Sequence, residues 1–171
     1  MTGEVPTFEE LFRGSRSSAL HLEMRDGYSL RDRAFVAWRA GKPVDATVYW
    51  PQWFELVQPV VARGVRVRRA RVISEPVSAY IRFEHAVTSA LNVAVGEEVR
   101  WLPRRRCSDL ALPGNDFWLF DERLVIVNHF SGDGESVAHE VTDAPAIVEL
   151  CASSFRAVWG RAIPHHNYHP D

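Results

Sequence analysis

The sequence predicts the α/β class, with a mixed β-sheet flanked by helices in a single domain. Helical and strand patterns alternate through the middle of the chain, which is typical of a sheet covered by helices. An apolar segment, 116–130, contains a break that is typical of a hairpin. The 171 residues, of which 46% are hydrophobic and 25% charged, fit one globular core.

The first fifty residues are expected to contain two helices and one strand. Thr7 and Glu10 have the spacing of a capping box ahead of a short helix. Alternation over 18–24 predicts a strand, and a second helix is expected over 30–40, followed by a loop over 42–49. The expected inward-facing residues are Leu11, Phe12, Leu20, Leu22, Met24, Phe35 and Trp38.

Three further elements follow at short intervals. Pro51 suits the first turn of a helix that ends before Gly64. The segment 65–73 is rich in β-forming residues and predicts a strand. A helix is expected from Ser74-Glu75-Pro76 to about residue 91, and a short strand over 99–102.

The last third predicts a hairpin, a strand and a long helix. Segments 116–121 and 123–130 read as two strands with a tight connection at Asp121-Glu122. A strand over 136–141 follows, and Asp143 is expected to cap the final helix. The tail from 164 to 171 is expected to be irregular. The apolar stripe of the helix is Val148, Cys151, Phe155, Val158, Trp159 and Ala162.

Composition and charge exclude several classes. No apolar run is long enough for a bilayer, the first residues lack the pattern of a secretory signal, and two cysteines suit a reducing compartment. A cytoplasmic protein without membrane partners is therefore expected. Residues 61–110 carry ten arginines against five acids, but the pI near 6.4 gives no overall basic character. Direct nucleic-acid binding is therefore the less favoured reading.

Two groups of polar residues are candidate ligand-binding sites. Glu75, Tyr80 and Arg82 follow the strand 65–73, and the carboxyl ends of strands are the usual ligand crevice of α/β sheets. Asn128, His129 and His139 are expected on neighbouring strands. The alternatives are helix capping with a solvated face for the first group and ordinary strand polarity for the second.

Three other features have a functional and a structural reading. The tail histidines His165, His166 and His169 could chelate a metal, although mobile tails do so adventitiously. The segment 104–106 supplies three arginines beside Cys107, which would lower the pKa of its thiol. The strand arginines could bind phosphate, or be buried against carboxylates; these are Arg66, Arg68, Arg69 and Arg71. We expect no cofactor and no metal site.

The order of elements from Leu56 onward resembles one phospholipase-D-like domain. The features that carry the resemblance are the helix ending Ala62-Arg63-Gly64, the strand from Val65, Gly96 and the strand Val99–Leu102, the hairpin Phe117–Val127, Val141-Thr142-Asp143 and the last helix through Phe155 and Trp159. The resemblance implies a phospholipase-D-like single domain over residues 51–164. Residues 1–50 would then be an extension packed on it, and 165–171 a tail.

The same resemblance implies that catalysis is lost. The chemistry of the family uses His-x-Lys, four residues, then Asp. If Asp121 takes the Asp place, Gly114 stands in the place of the nucleophilic His and Asp116 in the place of the phosphate-binding Lys. Glycine cannot attack phosphorus, and a carboxylate would repel phosphate. The resemblance therefore implies no catalytic residues.

The whole chain also resembles a family of uncharacterised actinobacterial proteins. The segments that carry this resemblance are Phe8–Phe12, Ala19–Arg25, Ser74–Arg82 and Asp116–Asp121. Such proteins often look like companions of helix-turn-helix regulators, which implies a regulatory role.

The first hypothesis is a catalytically silent regulatory protein that binds a protein partner or a small effector. A DNA-binding regulator is one candidate partner, and a homodimer is left open. The alternative is an enzyme of altered chemistry that uses a polar pocket around Glu75, Tyr80, Arg82, His129 and His139.

Overall fold

The computed structural model describes residues 6–171. Residues 1–5 lie outside the described residues, and they include part of the segment in which no secretory signal is expected. The helices are α1 (Phe8–Gly14), α2 (Arg33–Arg39), α3 (Ala46–Tyr49), α4 (Pro51–Ala62), α5 (Ala79–Leu91) and α6 (Pro145–Arg161). The strands are β1 (Ser18–Glu23), β2 (Arg66–Ile73), β3 (Glu98–Pro103), β4 (Phe117–Phe120), β5 (Leu124–Phe130), β6 (Ser136–Thr142) and β7 (Ile163–Pro164).

The seven strands found within residues 6–171 form one mixed sheet in the order β6-β5-β4-β1-β2-β3-β7. Strands β1, β2 and β3 are parallel, whereas β4, β5, β6 and β7 pair antiparallel with their neighbours. The predicted mixed α/β class is therefore confirmed. The predicted boundary at residue 50 does not divide the fold, because β1 lies between β2 and β4 near the centre of the sheet. Residues 6–50 are an integral part of the domain rather than an addition to it.

Helices cover both faces of the sheet. Helix α6 packs on one face, where Phe155 and Val158 meet Leu20 and Leu22 of β1. Helices α1 and α4 pack on the opposite face of the sheet, over a separate core that contains Trp118. Because both faces are covered, every residue of β1 is buried, including His21 and Glu23. Alternation alone predicts only one buried face for this strand.

Several local predictions are confirmed by hydrogen bonds. Thr7 and Glu10 form the capping box of α1, with Thr7 Oγ1 accepting from the Glu10 amide at 3.2 Å. Pro51 lies in the first turn of α4. The predicted tight hairpin turn forms between β4 and β5: three residues, Asp121 to Arg123, connect the strands, with Asp121 and Glu122 at positive φ.

Other element boundaries were wrong, and competing side-chain hydrogen bonds explain two of them. Helix α5 begins at Ala79 and not at Ser74, because the Ser78 hydroxyl caps it while the Ser74 amide and hydroxyl donate to Asp26. The predicted loop 42–49 contains the short helix α3, which is capped by Asp45.

The final helix and the tail also differ from the expectation. Asp143 is not the N-cap of α6; Ala144 takes that position, and its amide donates to Thr142 Oγ1 at 3.2 Å. The tail is ordered in the fold. Strand β7 pairs with β3, and Tyr168 is only 3% exposed, stacked on Trp101.

Candidate functional site: a buried charge cluster beneath a polar cleft

The first predicted group of ligand residues does not gather in one pocket. Glu75 accepts a hydrogen bond from the Tyr168 hydroxyl at 3.0 Å, and its other oxygen lies 3.1 Å from Arg105. Arg82 is exposed on the outer side of α5. Tyr80 alone lines the central cleft, a cavity of about 220 Å³ between α5, the segments around α2 and α4, and the sheet.

The second predicted group is divided between the two faces of the sheet. Asn128 and His139 face each other across β5 and β6, with Oδ1 and Nδ1 3.0 Å apart, and they line a mostly apolar groove beside α1. His129 points to the opposite face and lies 3.4 Å from Glu140. A single pocket around Glu75, Tyr80, Arg82, His129 and His139 is therefore not formed.

Polar groups concentrate instead in the middle of the sheet, in a buried charge cluster. The cluster consists of Glu23, Arg69, Arg71, Glu84 and Glu97, each of them at most 9% exposed. Arg69 donates to Glu97 at 2.7 Å and to Glu23, and Arg71 donates to Glu23 and, at 2.8 Å, to Thr88. Glu23 therefore bridges the two guanidinium groups.

The sheet register accounts for this arrangement. In the parallel pairing of β1 and β2, His21 lies opposite Arg69 and Glu23 opposite Arg71. Residues paired across neighbouring strands point to the same face of the sheet, and so do residues two apart on one strand. The Glu23 carboxylate therefore lies beside both Arg69 and Arg71. The side chain of His21 stacks on Trp118 with ring centroids 4.2 Å apart, and Arg71 lies 4.8 Å from the ring centroid of Trp101. Aromatic rings thus flank the cluster at both ends.

The electrostatics of the cluster leave one carboxyl group in excess. Burial opposes ionisation of Glu23, but Arg69 and Arg71 outweigh it and hold the pKa of Glu23 well below its usual range. Burial raises the pKa of Glu84 to about 7, although Arg71 acts in the other direction. Burial, with Arg69 nearby, lowers the pKa of His21 well below its usual value, so its ring is neutral. Glu84 is thus poised to change charge near neutral pH.

The central cleft lies above this cluster and is walled by aromatic rings. Its lining residues are Glu23, Asp32, Trp50, Trp53, Arg69, Arg71, Tyr80, Phe83, Glu84, Val87, Leu91 and Asn92. Trp50 and Tyr80 each pack against Phe83, at centroid distances of 6.3 and 5.7 Å. The cleft therefore combines an apolar wall with a charged floor.

Three polar atoms of cleft-lining residues have no hydrogen-bond partner among residues 6–171: Glu84 Oε2, Asn92 Oδ1 and Trp53 Nε1. Asn92 is only 2% exposed, and its amide nitrogen donates to Glu97 at 2.6 Å. Turning the amide over would place its oxygen against that carboxylate, so the unpartnered oxygen is fixed by the hydrogen-bond network. Buried polar groups without partners are costly in a folded protein, and a ligand can satisfy them.

Sequence reasoning found part of this site. The expectation that some of the strand arginines are buried against carboxylates is confirmed for Arg69 and Arg71. Arg68 instead pairs with the exposed Glu98 at 2.9 Å. Asn92 and Glu84 were not recognised, because an isolated acid or amide on a helix usually faces water.

The residues in the places of the phospholipase D motif have structural roles. Asp116 is 2% exposed, and its carboxylate accepts hydrogen bonds from the Met24 amide, at 2.8 Å, and from the Tyr28 hydroxyl. Asp121 accepts from the backbone amides of Ser17 and Ser18 at 2.7 and 3.0 Å. These carboxylates join the hairpin to β1 and to the chain around it.

The remaining sequence candidates have ordinary environments. His165 accepts from the Trp101 indole at 3.1 Å and lies 2.9 Å from Ser89 Oγ. Among residues 6–171 no cluster of three or more His, Cys, Asp or Glu side chains is arranged to hold a metal ion. The expected lowering of the Cys107 pKa was wrong, because burial raises the pKa of this thiol despite the nearby arginines. No helix within the same residues is long and apolar enough to span a membrane.

Two solved structures are similar to this chain at 12% sequence identity. One is Nuc from Salmonella typhimurium, a phospholipase D family member, with a TM-score of 0.49 over 91% of this chain and 86% of that one. The other is TrmBL2, described as an archaeal chromatin protein with a novel mode of DNA binding. It gives a TM-score of 0.50 over 91% of this chain and 48% of its own, so this chain spans about half of its length. The similarity to TrmBL2 shows a shared fold only.

The sequence matches one family and none of the curated proteins. The family model described as "Domain of unknown function (DUF6879)" matches residues 6–170, nearly all of the sequence, and the chain therefore belongs to this family.

Proposed function

We propose that this protein is a non-catalytic regulatory protein that binds a small effector in the central cleft and acts through a protein partner. A DNA-binding regulator of transcription is the candidate partner, in a reducing, cytoplasmic setting. The observation that carries the proposal is the cleft itself, because three of its lining residues, Glu84, Asn92 and Trp53, each have a buried polar atom without a partner within residues 6–171.

The geometry of the cleft favours binding over turnover. Its two guanidinium groups donate to Glu23, Glu97 and Thr88, so they are not free to hold a phosphoryl group. His21, which lies opposite Arg69 in the sheet, is stacked on Trp118 and does not line the cleft. Such a site can recognise a ligand, but it lacks a placed nucleophile with an adjacent base.

The residues at the start of the hairpin support the same conclusion. Gly114 has no side chain to attack a phosphodiester, and Asp116 is committed to hydrogen bonds with Met24 and Tyr28. We therefore expect the purified protein not to hydrolyse a chromogenic phosphodiester such as bis(p-nitrophenyl) phosphate. Sustained turnover that copurifies with the protein would contradict the proposal.

Direct binding to nucleic acid is the less favoured candidate. Of the arginines that make residues 61–110 basic, Arg69 and Arg71 are buried in the charge cluster. Arg104 donates to the backbone carbonyls of Met24 and Val72. This consumes several of the charges that a phosphate backbone would need.

The test is a ligand screen followed by co-purification. Small metabolites are screened for an increase in melting temperature, since a ligand that binds only the folded state stabilises it. Each hit is repeated with Tyr80→Leu, which alters the cleft wall, and with Arg82→Leu, on the exposed side of the same helix. We expect stabilisation to be lost only in Tyr80→Leu.

The tagged full chain is then used to capture partners from lysate with and without the hit. Recovery of the same protein only in one of the two conditions is the expected result. Hits that stabilise both variants equally, or a partner captured without regard to the ligand, would argue against the cleft as the regulatory site. Retention of DNA that is lost as salt is raised would support the less favoured candidate instead.

A further inference from the structure

We infer that the ligand of the central cleft is a small organic cation with N–H donors, a primary ammonium or amidinium group, held by the carboxylate of Glu84 and the side-chain oxygen of Asn92. This inference rests on the proposed effector-binding function and names the chemical class of the effector.

The unpartnered atoms determine whether the ligand donates or accepts each hydrogen bond. Glu84 Oε2 and Asn92 Oδ1 are both acceptors, so a ligand that satisfies them must bring hydrogen-bond donors. Trp53 Nε1 is a donor, and an oxygen on the ligand or a water can accept from it. A ligand built mainly of acceptors, such as a phosphate, would leave both oxygens unpaired.

The charges around the cleft also favour a positively charged ligand. From β2, Arg71 and Arg69 face Glu84, and each guanidinium already donates to the carboxylate of Glu23 on β1. Glu97 provides a second counter-charge to Arg69, so two arginines are balanced by two glutamates before Glu84 is counted. The other titratable groups that act near Glu84 are Asp116, before β4, Tyr28, and Tyr80 on its own helix. Asp32 adds a further carboxylate to the lining.

The shape and the walls of the cleft suit a small, flat cation. Its volume of about 220 Å³ lies below the range of about 300–1,000 Å³ that is usual for drug-sized ligands. It exceeds the engineered apolar cavity of about 150 Å³ that accommodates benzene. The rings of Trp50, Tyr80 and Phe83 provide apolar surface, and aromatic faces attract cations.

The test is a matched series of probes of one shape and three charges: benzamidine, benzamide and benzoate. Binding to the full chain is measured by titration calorimetry and NMR at pH 8.5 and pH 5.5. We expect benzamidine to bind, and the other two to bind at least tenfold more weakly. Because the cation requires ionised Glu84, its affinity should be roughly tenfold greater at pH 8.5 than at pH 5.5.

Variants then locate the effect. Glu84→Gln should weaken benzamidine binding at pH 8.5 at least tenfold and abolish its pH dependence. Glu55→Gln, an exposed position on α4 with the same change of formal charge, should bind like the wild type. Asn92→Leu should also weaken binding, and the pH dependence of the wild type is informative even where a variant folds poorly.

The outcomes separate this inference from the function on which it rests. Stronger binding of benzoate than of benzamidine, or affinity for benzamidine that does not change with pH, overturns the cationic class and leaves effector binding intact. The cationic class is also overturned, and effector binding left intact, if all three probes fail to bind while the metabolite screen gives cleft-dependent hits of another chemistry. Failure of the probes without any cleft-dependent hit overturns both.

Discussion

Glu84 and Arg71 form an incomplete ion pair. Glu84 Oε2 lies 3.7 Å from Arg71 Nε, but that N–H donates to Glu23. Glu84 is thus close enough to interact electrostatically with the Arg71 guanidinium, but too far away to accept a hydrogen bond from it. Since the Glu84 carboxylate is buried, it carries the desolvation cost of a charge without full compensation, which places its pKa at about 7.

Glu84→Gln should stabilise the protein at alkaline pH. The folded-state pKa of Glu84 is raised above its ordinary value, so between about pH 4.5 and 7 the unfolded chain releases a proton that the folded chain retains. The free energy of unfolding of the wild type therefore falls over this window and stays lower above it. A shift of this size predicts that the variant is more stable by about 3 kcal/mol at pH 8.

Urea denaturation of both proteins at pH 5 and pH 8 measures this difference. The advantage of Glu84→Gln should shrink as the pH falls towards 4.5, where the carboxyl group is protonated in the folded state and about half protonated in the unfolded chain. Other titrating groups, such as Asp116 with its pKa raised to about 6 by burial, are common to both proteins and largely cancel. An equal difference at both pH values would mean that the carboxyl group does not titrate as described.

Glu23→Gln should strongly destabilise the fold, because Glu23 accepts hydrogen bonds from both Arg69 and Arg71. Glu97 still pairs with Arg69, but Glu84 lies 3.7 Å from Arg71 and accepts no hydrogen bond from it, so Arg71 loses its partner at a cost of about 3–5 kcal/mol. Glu98→Gln provides the matched control, since Glu98 pairs with Arg68 at 2.9 Å but is 51% exposed. Its effect on denaturation should be below about 1 kcal/mol. Similar costs at the two positions would contradict the central role of Glu23.

Tyr168→Ala should lower stability by about 3 kcal/mol or more, as for other buried aromatic residues. Its ring stacks on Trp101 with centroids 5.6 Å apart, and its hydroxyl donates to Glu75. His169→Ala changes the next residue, which is exposed, and should leave the melting temperature nearly unchanged. If both variants melt like the wild type, the tail does not contribute to the core.

Gly96→Ala should cost more than Gly64→Ala, although both glycines have positive φ, +92° and +88°. A Cβ at Gly96 would lie 2.7 Å from Val61 Cγ1, whereas a Cβ at Gly64 has no atom within 4 Å. The left-handed backbone alone costs about 1–2 kcal/mol, and the contact with Val61 adds to it only at Gly96. Equal midpoints in thermal denaturation would show that Val61 moves aside at no cost.

Local sequence patterns predicted many elements because the signals lie within a few residues. The Thr7–Glu10 capping box and the Asp121-Glu122 turn need only their own segment, and both form as expected. The boundary of α5 was misplaced because Asp26, nearly fifty residues earlier, binds Ser74. Tertiary partners of this kind are invisible to a local pattern.

The sequence by itself determined the class of the fold and its main elements. Only the tertiary structure decided which polar residues meet. It separated His129 from His139, and it gathered Glu23, Arg69, Arg71, Glu84 and Asn92 under one cleft. The physical reason is that periodicity fixes the face on which a side chain lies, whereas strand order and register fix its neighbours, and only those neighbours set its charge and its chemistry.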